Sequence, residues 1–334
     1  MKILITGGCG FVGSNLAIYL KNKLLNVTVN TLDNFSRKGA VLNYKRLKKN
    51  KIKNYKIDIK NFKALNKLSK FDLVIDCCAE SAIETAEKEI DKVINTNLIG
   101  TLNILKKCAK DNSNIIFLSS SRVYGIKNLR SIKKPKIAIS ENFSTAEAKS
   151  IYGFTKLSSE FLIKEFSYIY KLKYIINRLG VISGPWQFGK QEQGFVSLWT
   201  WQHLNKGKLK YIGFGGRGKQ TRDIIHIDDV CSLIFLQINK IKKINNITLN
   251  VGGGRKNTLS LFQLTKICQK ITKNKTKILS KKMTSIYDVP NYTTNNLRVK
   301  KIYNWVPKKN LHQIVNDTYI WMKMNKKNLR KYFI

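Results

Sequence analysis

The stretch Lys2-Ile3-Leu4-Ile5-Thr6-Gly7-Gly8-Cys9-Gly10-Phe11-Val12-Gly13 decides how this chain folds. An apolar run of five residues is followed by glycines at 7, 10 and 13, and helical periodicity begins at about residue 12. A strand that turns through glycines into a helix gathers backbone amides at the helix N-terminus, where they attract an anion. Gly7 permits the tight turn, Gly10 the close approach of a diphosphate, and Gly13 close packing of helix on strand, with Phe11 and Val12 opening the helix between them. The alternative, a merely glycine-rich turn, is disfavoured by the strand before it and the helix after it.

Beyond this turn the same plan repeats. Val27 to Leu32, Tyr55 to Ile57, Leu73 to Asp76 and Asn114 to Leu118 read as strands, with helices at about 12 to 24, 61 to 69, 91 to 110 and 151 to 170. Strands and helices alternating at this spacing predict an α/β fold, a Rossmann-like doubly wound parallel sheet with helices on both faces. After Tyr174 to Leu179 the loops lengthen, Trp186, Trp199 and Trp201 appear, and glycines cluster at 213–218 and 252–254. This change predicts a smaller C-terminal substrate-binding domain. The expected boundaries are 1–177, joined by about 224–251, for the first domain, and 178–223 with 252–334 for the second, meeting at a cleft.

The 334 residues include 62 Lys and Arg against 20 Asp and Glu, a formal charge of +42. Such a balance raises nucleic-acid or membrane binding. The lysines are spread through nearly every stretch, in company with many Asn and Ile, which describes a solvated surface and not a dedicated basic patch. No nucleic-acid and no membrane partner is expected, although an anionic substrate benefits from the field. Six cysteines and three histidines show no CxxC pair and no metal-ligand spacing, so free thiols and no metal are expected. Gly7-Gly8 interrupts the opening apolar run too soon for a signal peptide, and no apolar run approaches the roughly twenty residues that span a bilayer. The expected location is cytoplasmic.

Asp33 falls at the end of the second strand, twenty residues after Gly13, where a carboxylate accepts hydrogen bonds from ribose hydroxyls. NAD is therefore favoured as cofactor, with Asn34 beside Asp33, while Arg37 and Lys38 follow closely enough to accommodate a ribose phosphate. Asp58 is placed to reach the adenine end, or alternatively to cap the helix after it. Tyr152-Gly153-Phe154-Thr155-Lys156 puts a phenol and an ammonium on one helical face. A neighbouring cation favours the phenolate, which makes Tyr152 a candidate base and Lys156 its partner. Ser119-Ser120-Ser121 ends a strand at the carboxyl edge of the sheet, where such folds bind ligands. One hydroxyl there can bond a sugar oxygen; the others read as strand-end caps.

The glycine loop, the run Ser119-Ser120-Ser121-Arg122-Val123-Tyr124-Gly125 and the Tyr152/Lys156 pair together resemble the extended short-chain dehydrogenases/reductases, the NAD-dependent epimerase/dehydratase family, over nearly the whole chain. The resemblance selects Ser120, four residues before the tyrosine of the Val123-Tyr124-Gly125 segment. The run Asn177 to Gly189, then Gln193-Gly194, Tyr211 to Gly216 and Gly218-Lys219-Gln220-Thr221-Arg222-Asp223-Ile224-Ile225-His226 is similar to the CDP-paratose 2-epimerase (CDP-tyvelose epimerase) branch. It implies an enzyme that inverts a carbon of a nucleotide-diphosphate sugar, a CDP-sugar by preference, through transient oxidation by tightly held NAD and return of the hydrogen. Tyr152 would be the base, Ser120 its hydrogen-bond partner, and Lys156 would hold the ribose. Arg222 would pair with the diphosphate, or alternatively with Asp223; Lys219, Gln220, Gln187, Phe188 and Gln193 would line the same pocket. Asn97 resembles the family's cofactor-side asparagine, with a packing role as the alternative. The family also implies a homo-oligomer, with the helices near 91–110 and 151–170 as candidate contacts, and a place in surface-polysaccharide synthesis.

Two departures stand out. Many relatives carry Arg where Ser285 stands, and Asp76-Cys77-Cys78-Ala79-Glu80 replaces an apolar, alanine-rich strand end. A 4,6-dehydratase is disfavoured because Ser121 and Arg122 occupy the places of its acid pair, whereas 4-epimerisation and ketone reduction stay open. A reading of a different class is a binding protein that keeps the fold without turnover.

Overall fold

Ile3, Leu4 and Ile5 are wholly buried in the computed structural model, as are Val74, Ile75, Ile115, Ile116 and Phe117. Strands apolar on both sides have to be covered on both, which is the condition of a sheet packed between helix layers. The structure describes residues 1–81, 88–132, 134–189 and 194–333. Seven strands form the central parallel sheet, in the order Ile247–Val251, Tyr174–Leu179, Asn114–Ser120, Leu73–Asp76, Lys2–Thr6, Thr28–Asp33 and Lys53–Lys56. Lys2–Thr6 pairs in parallel with Thr28–Asp33 on one side and Leu73–Asp76 on the other. Strand order reverses there, so the carboxyl end of Lys2–Thr6 is the switch point at which such sheets take ligands. The Rossmann-like α/β expectation holds.

The chain divides into two compact units. The first comprises Met1–Val123, Ser150–Arg178 and Cys231–Leu249; the second comprises Tyr124–Lys149, Leu179–Val230 and the residues from Asn250 onward. Residues 124–149, which the sequence-based boundaries put in the first domain, thus group with the second unit. Their strand Ala138–Ile139 pairs with Asn291–Thr294, and Tyr124 donates to Asn250 Oδ1 at 2.7 Å while stacking on Tyr292. Residues 224–230 group there too, since they continue the strand Thr221–His226.

Within the first unit the core joins Leu4, Val74, Ile115 and Phe117 to Ile104, Leu105 and Ile163. Sequence periodicity misses the helix Ala40–Lys49, because its buried face is only Ala40, Asn43 and Leu47 among lysines. The helix expected at 91–110 is broken. Ile90–Ile94 and Gly100–Asp111 are separated by a π-helical turn, Asn95–Ile99, of the kind frequent at functional sites. That turn points Asn97 into the interior, where it is fully buried.

In the second unit Thr221–His226 is the hub. It runs antiparallel to Thr258–Ser260 and parallel to Asn291–Thr294 and Val181–Ser183. Lys208–Ile212 and Lys277–Lys281 make a separate parallel pair. Helices Phe195–Leu204, Leu261–Thr272 and Leu311–Met324 pack together, with Trp199, Leu264, Ile314 and Val315 in the core. No helix among the described residues is long and apolar enough to cross a membrane.

Candidate active site

Gly7, at φ +61°, turns the chain directly after the first strand, and a Cβ there would meet the backbone of Cys77 and Cys78 at 3.1–3.2 Å. At Gly13 a Cβ would fall 2.3 Å from the Gly7 carbonyl oxygen, so no side chain fits. The helix Phe11–Lys23 begins after Gly10 with no side-chain cap and no acidic residue in its first turn. Its first amides, those of Phe11, Val12 and Gly13, therefore meet an anion without an acidic competitor.

Two residues that the sequence reading passed over hold this loop. Asn43 Nδ2 donates to Cys9 O at 3.0 Å and Gly10 O at 3.4 Å, and Arg46 Nη1 donates to Asn43 Oδ1 at 3.0 Å. Burial pulls the Arg46 pKa down to about 9, which leaves the guanidinium protonated near neutrality, behind the loop. The sequence signal was an Asn and an Arg three apart, hence on one helical face. A diphosphate fits this arrangement of open amides, missing Cβ atoms and buried positive charge.

Asp33 Oδ2 accepts from Cys9 N at 2.9 Å and Oδ1 from Phe35 N at 2.7 Å. Burial raises its pKa, opposed by the two amides and by the nearby Arg37. A carboxylate offers about four lone-pair sites, so acceptors remain for ribose hydroxyls. Asn34 Nδ2 donates to Asp58 Oδ2 at 2.9 Å, and Asp58 Oδ1 accepts from Lys60 N at 2.9 Å. The helix Phe62–Asn66 is capped by Asn61 and not by Asp58. Lys38 is exposed.

The strand Asn114–Ser120 ends on two serines with separate duties. Ser119 Oγ donates to Glu160 Oε1 at 2.5 Å, and Glu160 is held by Arg178 through Nη2–Oε2 at 2.7 Å and Nε–Oε1 at 3.0 Å. Ser119 is thereby committed to a buried ion pair. Ser120 Oγ instead accepts from Arg122 N at 3.2 Å, which leaves its own proton to donate.

The helix Ile151–Tyr170, whose cap Ser150 accepts from Gly153 N at 3.2 Å, carries Tyr152 and Lys156 one turn apart. The Tyr152 hydroxyl makes no hydrogen bond among the described residues. Lys156 is 2% exposed, with Nζ 4.3 Å from the Phe117 ring centroid and no carboxylate within ion-pair reach among the described residues. The other fully buried lysine among them, Lys107, pairs with Asp111. A buried ammonium without its acid is costly in a purely structural role and marks a functional site.

Asn97 is bonded at both ends. Its Oδ1 accepts from Glu80 N at 2.8 Å, and its Nδ2 donates to Glu80 O at 3.0 Å and to Thr155 Oγ1 at 3.1 Å. It ties the segment after Leu73–Asp76 to the helix of Tyr152. Burial, then the Asp76 charge, pushes the thiols of Cys77 and Cys78 up, which keeps them neutral.

In the second unit Arg222 Nη2 lies 2.6 Å from Asp288 Oδ1 and donates to Val289 O at 2.7 Å. Its acid partner is thus Asp288 and not Asp223, because adjacent residues on a strand face opposite ways. Asp223 is fully buried, accepts from Gly254 N at 3.0 Å, and has its pKa raised by that burial. Lys219 is exposed, and Gln220 Nε2 donates to Ile212 O at 2.9 Å while its buried Oε1 has no partner among the described residues. Gln187 is used internally, accepting from Ser197 Oγ at 2.6 Å and donating to Ile182 O at 3.0 Å. Phe188 packs with Trp321, Tyr332 and Phe333. Gln193 lies outside the described residues.

Residues 3–252 match the profile of the NAD dependent epimerase/dehydratase family. The chain is 31% identical to CDP-paratose 2-epimerase of Salmonella typhi over 80% of its own length and 84% of that protein's. It is 26% identical to UDP-glucuronate 4-epimerase of Thermodesulfobacterium geofontis over 96% of each. UDP-glucose 4-epimerase of Thermotoga maritima, solved with UDP-glucose, superposes with a TM-score of 0.83 at 26% identity, over 98% of this chain and 100% of that one. By the profile match and by this likeness, the chain belongs to the NAD-dependent epimerase/dehydratase family and is an NAD-dependent enzyme of that class.

Proposed function

We propose that this enzyme epimerises a nucleotide-diphosphate sugar, with a CDP-sugar inverted at C2 as the favoured substrate. One observation carries the reading: among the described residues, a phenol without a hydrogen-bond partner, an ammonium buried without an acid, and a serine whose proton is left to donate all belong to the first unit. Held at the glycine loop and Asp33, NAD would supply reversible two-electron oxidation of a sugar carbon. Tyr152, as a phenolate favoured by the neighbouring Lys156 charge, takes the proton of the sugar hydroxyl at its phenolic oxygen and becomes the phenol. Ser120 donates to the same sugar oxygen as negative charge develops there. The proton returns from Tyr152 after the ketone has presented its other face, so no net redox change results.

Arg222 takes the diphosphate in this reading, since a guanidinium fork matches phosphate oxygens, with Lys219 and Gln220 beside it. Gln187 and Phe188 shape the surrounding chain. Likeness to CDP-paratose 2-epimerase supports the CDP-sugar. Likeness along nearly the whole chain to UDP-glucuronate 4-epimerase supports 4-epimerisation of a UDP-sugar as the second reading. Elimination of water is disfavoured because the turn Ser121–Val123 carries no carboxylate.

Incubation with CDP-, UDP-, GDP- and dTDP-sugars in deuterated water tests this directly. The expected outcome is inversion with the carbon-bound hydrogen retained. Deuterium entering the inverted carbon would replace hydrogen return by enolisation, and no conversion of any sugar would end the reading.

A homo-oligomer is part of the proposal. The helix Ile151–Tyr170 exposes Phe154, Phe161 and Tyr168, at 49%, 54% and 76%, spaced by seven residues and so along one stripe. Sedimentation should find a dimer that Phe161→Glu converts to monomer; a monomeric parent chain refutes this. None of the six cysteines is in a disulfide among the described residues, which supports the cytoplasmic location.

A further inference from the structure

Arg37 stands close enough to Asp33 to lower that carboxylate's pKa, yet its own fork is engaged elsewhere. Its Nη2 lies 2.9 Å from Glu80 Oε1 and donates to Ala79 O at 3.2 Å and Ser81 Oγ at 3.4 Å. The Glu80 side chain is only 13% exposed. Its backbone is fixed independently of that side chain, because Asn97 bonds both its amide and its carbonyl and is itself bonded to Thr155. Glu80 is thus held in place as a carboxylate facing the guanidinium.

An arginine beside the ribose-binding acid is the group that accommodates a 2′-phosphate in dinucleotide sites. Its value lies in bidentate, charge-assisted bonds to phosphate oxygens. Here, taking a 2′-phosphate would strip a mostly buried carboxylate, Glu80, of its ion-pair partner among the described residues, and set the phosphate near Asp33 as well. A 2′-hydroxyl demands none of this. We propose that Glu80 is a specificity-determining residue for the dinucleotide, which holds Arg37 off the ribose and makes the site accept NAD and reject NADP. The inference rests on the dinucleotide site and not on which sugar is turned over.

The test is a competition read by binding. The purified chain is equilibrated with equimolar NAD and NADP and desalted, and the dinucleotide released on denaturation is quantified. The parent chain retains NAD almost alone. In Glu80→Gln the bound NADP:NAD ratio rises about tenfold, the scale of one charge-assisted contact. The rise disappears in the double variant Glu80→Gln/Arg37→Ala, because the Arg37 guanidinium, no longer drawn to a Glu80 charge, is what receives the phosphate. Glu80→Asp, which keeps the charge but draws it back, gives a smaller rise and serves if the Gln variant folds poorly. An unchanged ratio in the Gln variant at full occupancy, or in the Asp variant where only that one folds, overturns the proposal, as does a rise that persists without Arg37. Absence of sugar turnover in the parent chain, with the ratio in the variants shifted as expected, would count against the epimerase reading alone.

Discussion

Tyr152→Phe should lower sugar turnover by about three orders of magnitude while NAD stays bound, within the range of about 10²–10⁴ that positioned acid–base groups contribute. The phenol has no hydrogen-bond partner among the described residues, so removing its oxygen leaves no protein group unsatisfied and the fold intact. Lys156 and the glycine loop are untouched, which is why dinucleotide retention should match the parent chain. The informative pair of measurements is initial rate and bound dinucleotide per chain. Turnover within threefold of the parent would take Tyr152 out of the chemistry. Loss of both turnover and NAD would instead make it a packing or cofactor contact.

Glu160→Ala should cost roughly 3–5 kcal/mol of stability, the penalty for leaving one member of a buried ion pair alone. Glu160 is fully buried, and its two oxygens take both Arg178 and the Ser119 hydroxyl, so the substitution orphans a guanidinium and a hydroxyl together. Thermal unfolding followed by circular dichroism should show a midpoint lower by on the order of 10 °C. Glu160→Gln keeps the shape and an acceptor and should fall less. A midpoint within a degree or two of the parent for Glu160→Ala would mean that the guanidinium finds water or another acid. The result bears on function, because the same carboxylate keeps Ser119 occupied at the end of the strand that presents Ser120.

The features legible from the sequence are local ones. A strand, a glycine turn and a helix in succession specify the loop, and the requirement at Gly13 is local because a Cβ there would meet the Gly7 carbonyl, whereas the one at Gly7 involves the distant backbone of Cys77 and Cys78. The Tyr152 and Lys156 pair follows from helical geometry over four residues. Apolar runs free of alternation announce the buried parallel sheet. Family resemblance, and not spacing, pointed to Ser120.

Other assignments depended on partners that packing brings from far along the chain. Ser119 is bonded to Glu160, Arg37 is paired with Glu80, and Arg222 is matched with Asp288 in place of its neighbour Asp223. The break at Asn95–Ile99 and the Asn43–Arg46 brace belong with these, since neither shows in hydrophobic periodicity. Periodicity reports which side of an element is buried, and turn chemistry reports where the backbone must bend. A buried polar group, by contrast, is decided by whichever donor or acceptor the folded layers set opposite it, and strands adjacent in the sheet are remote in the chain.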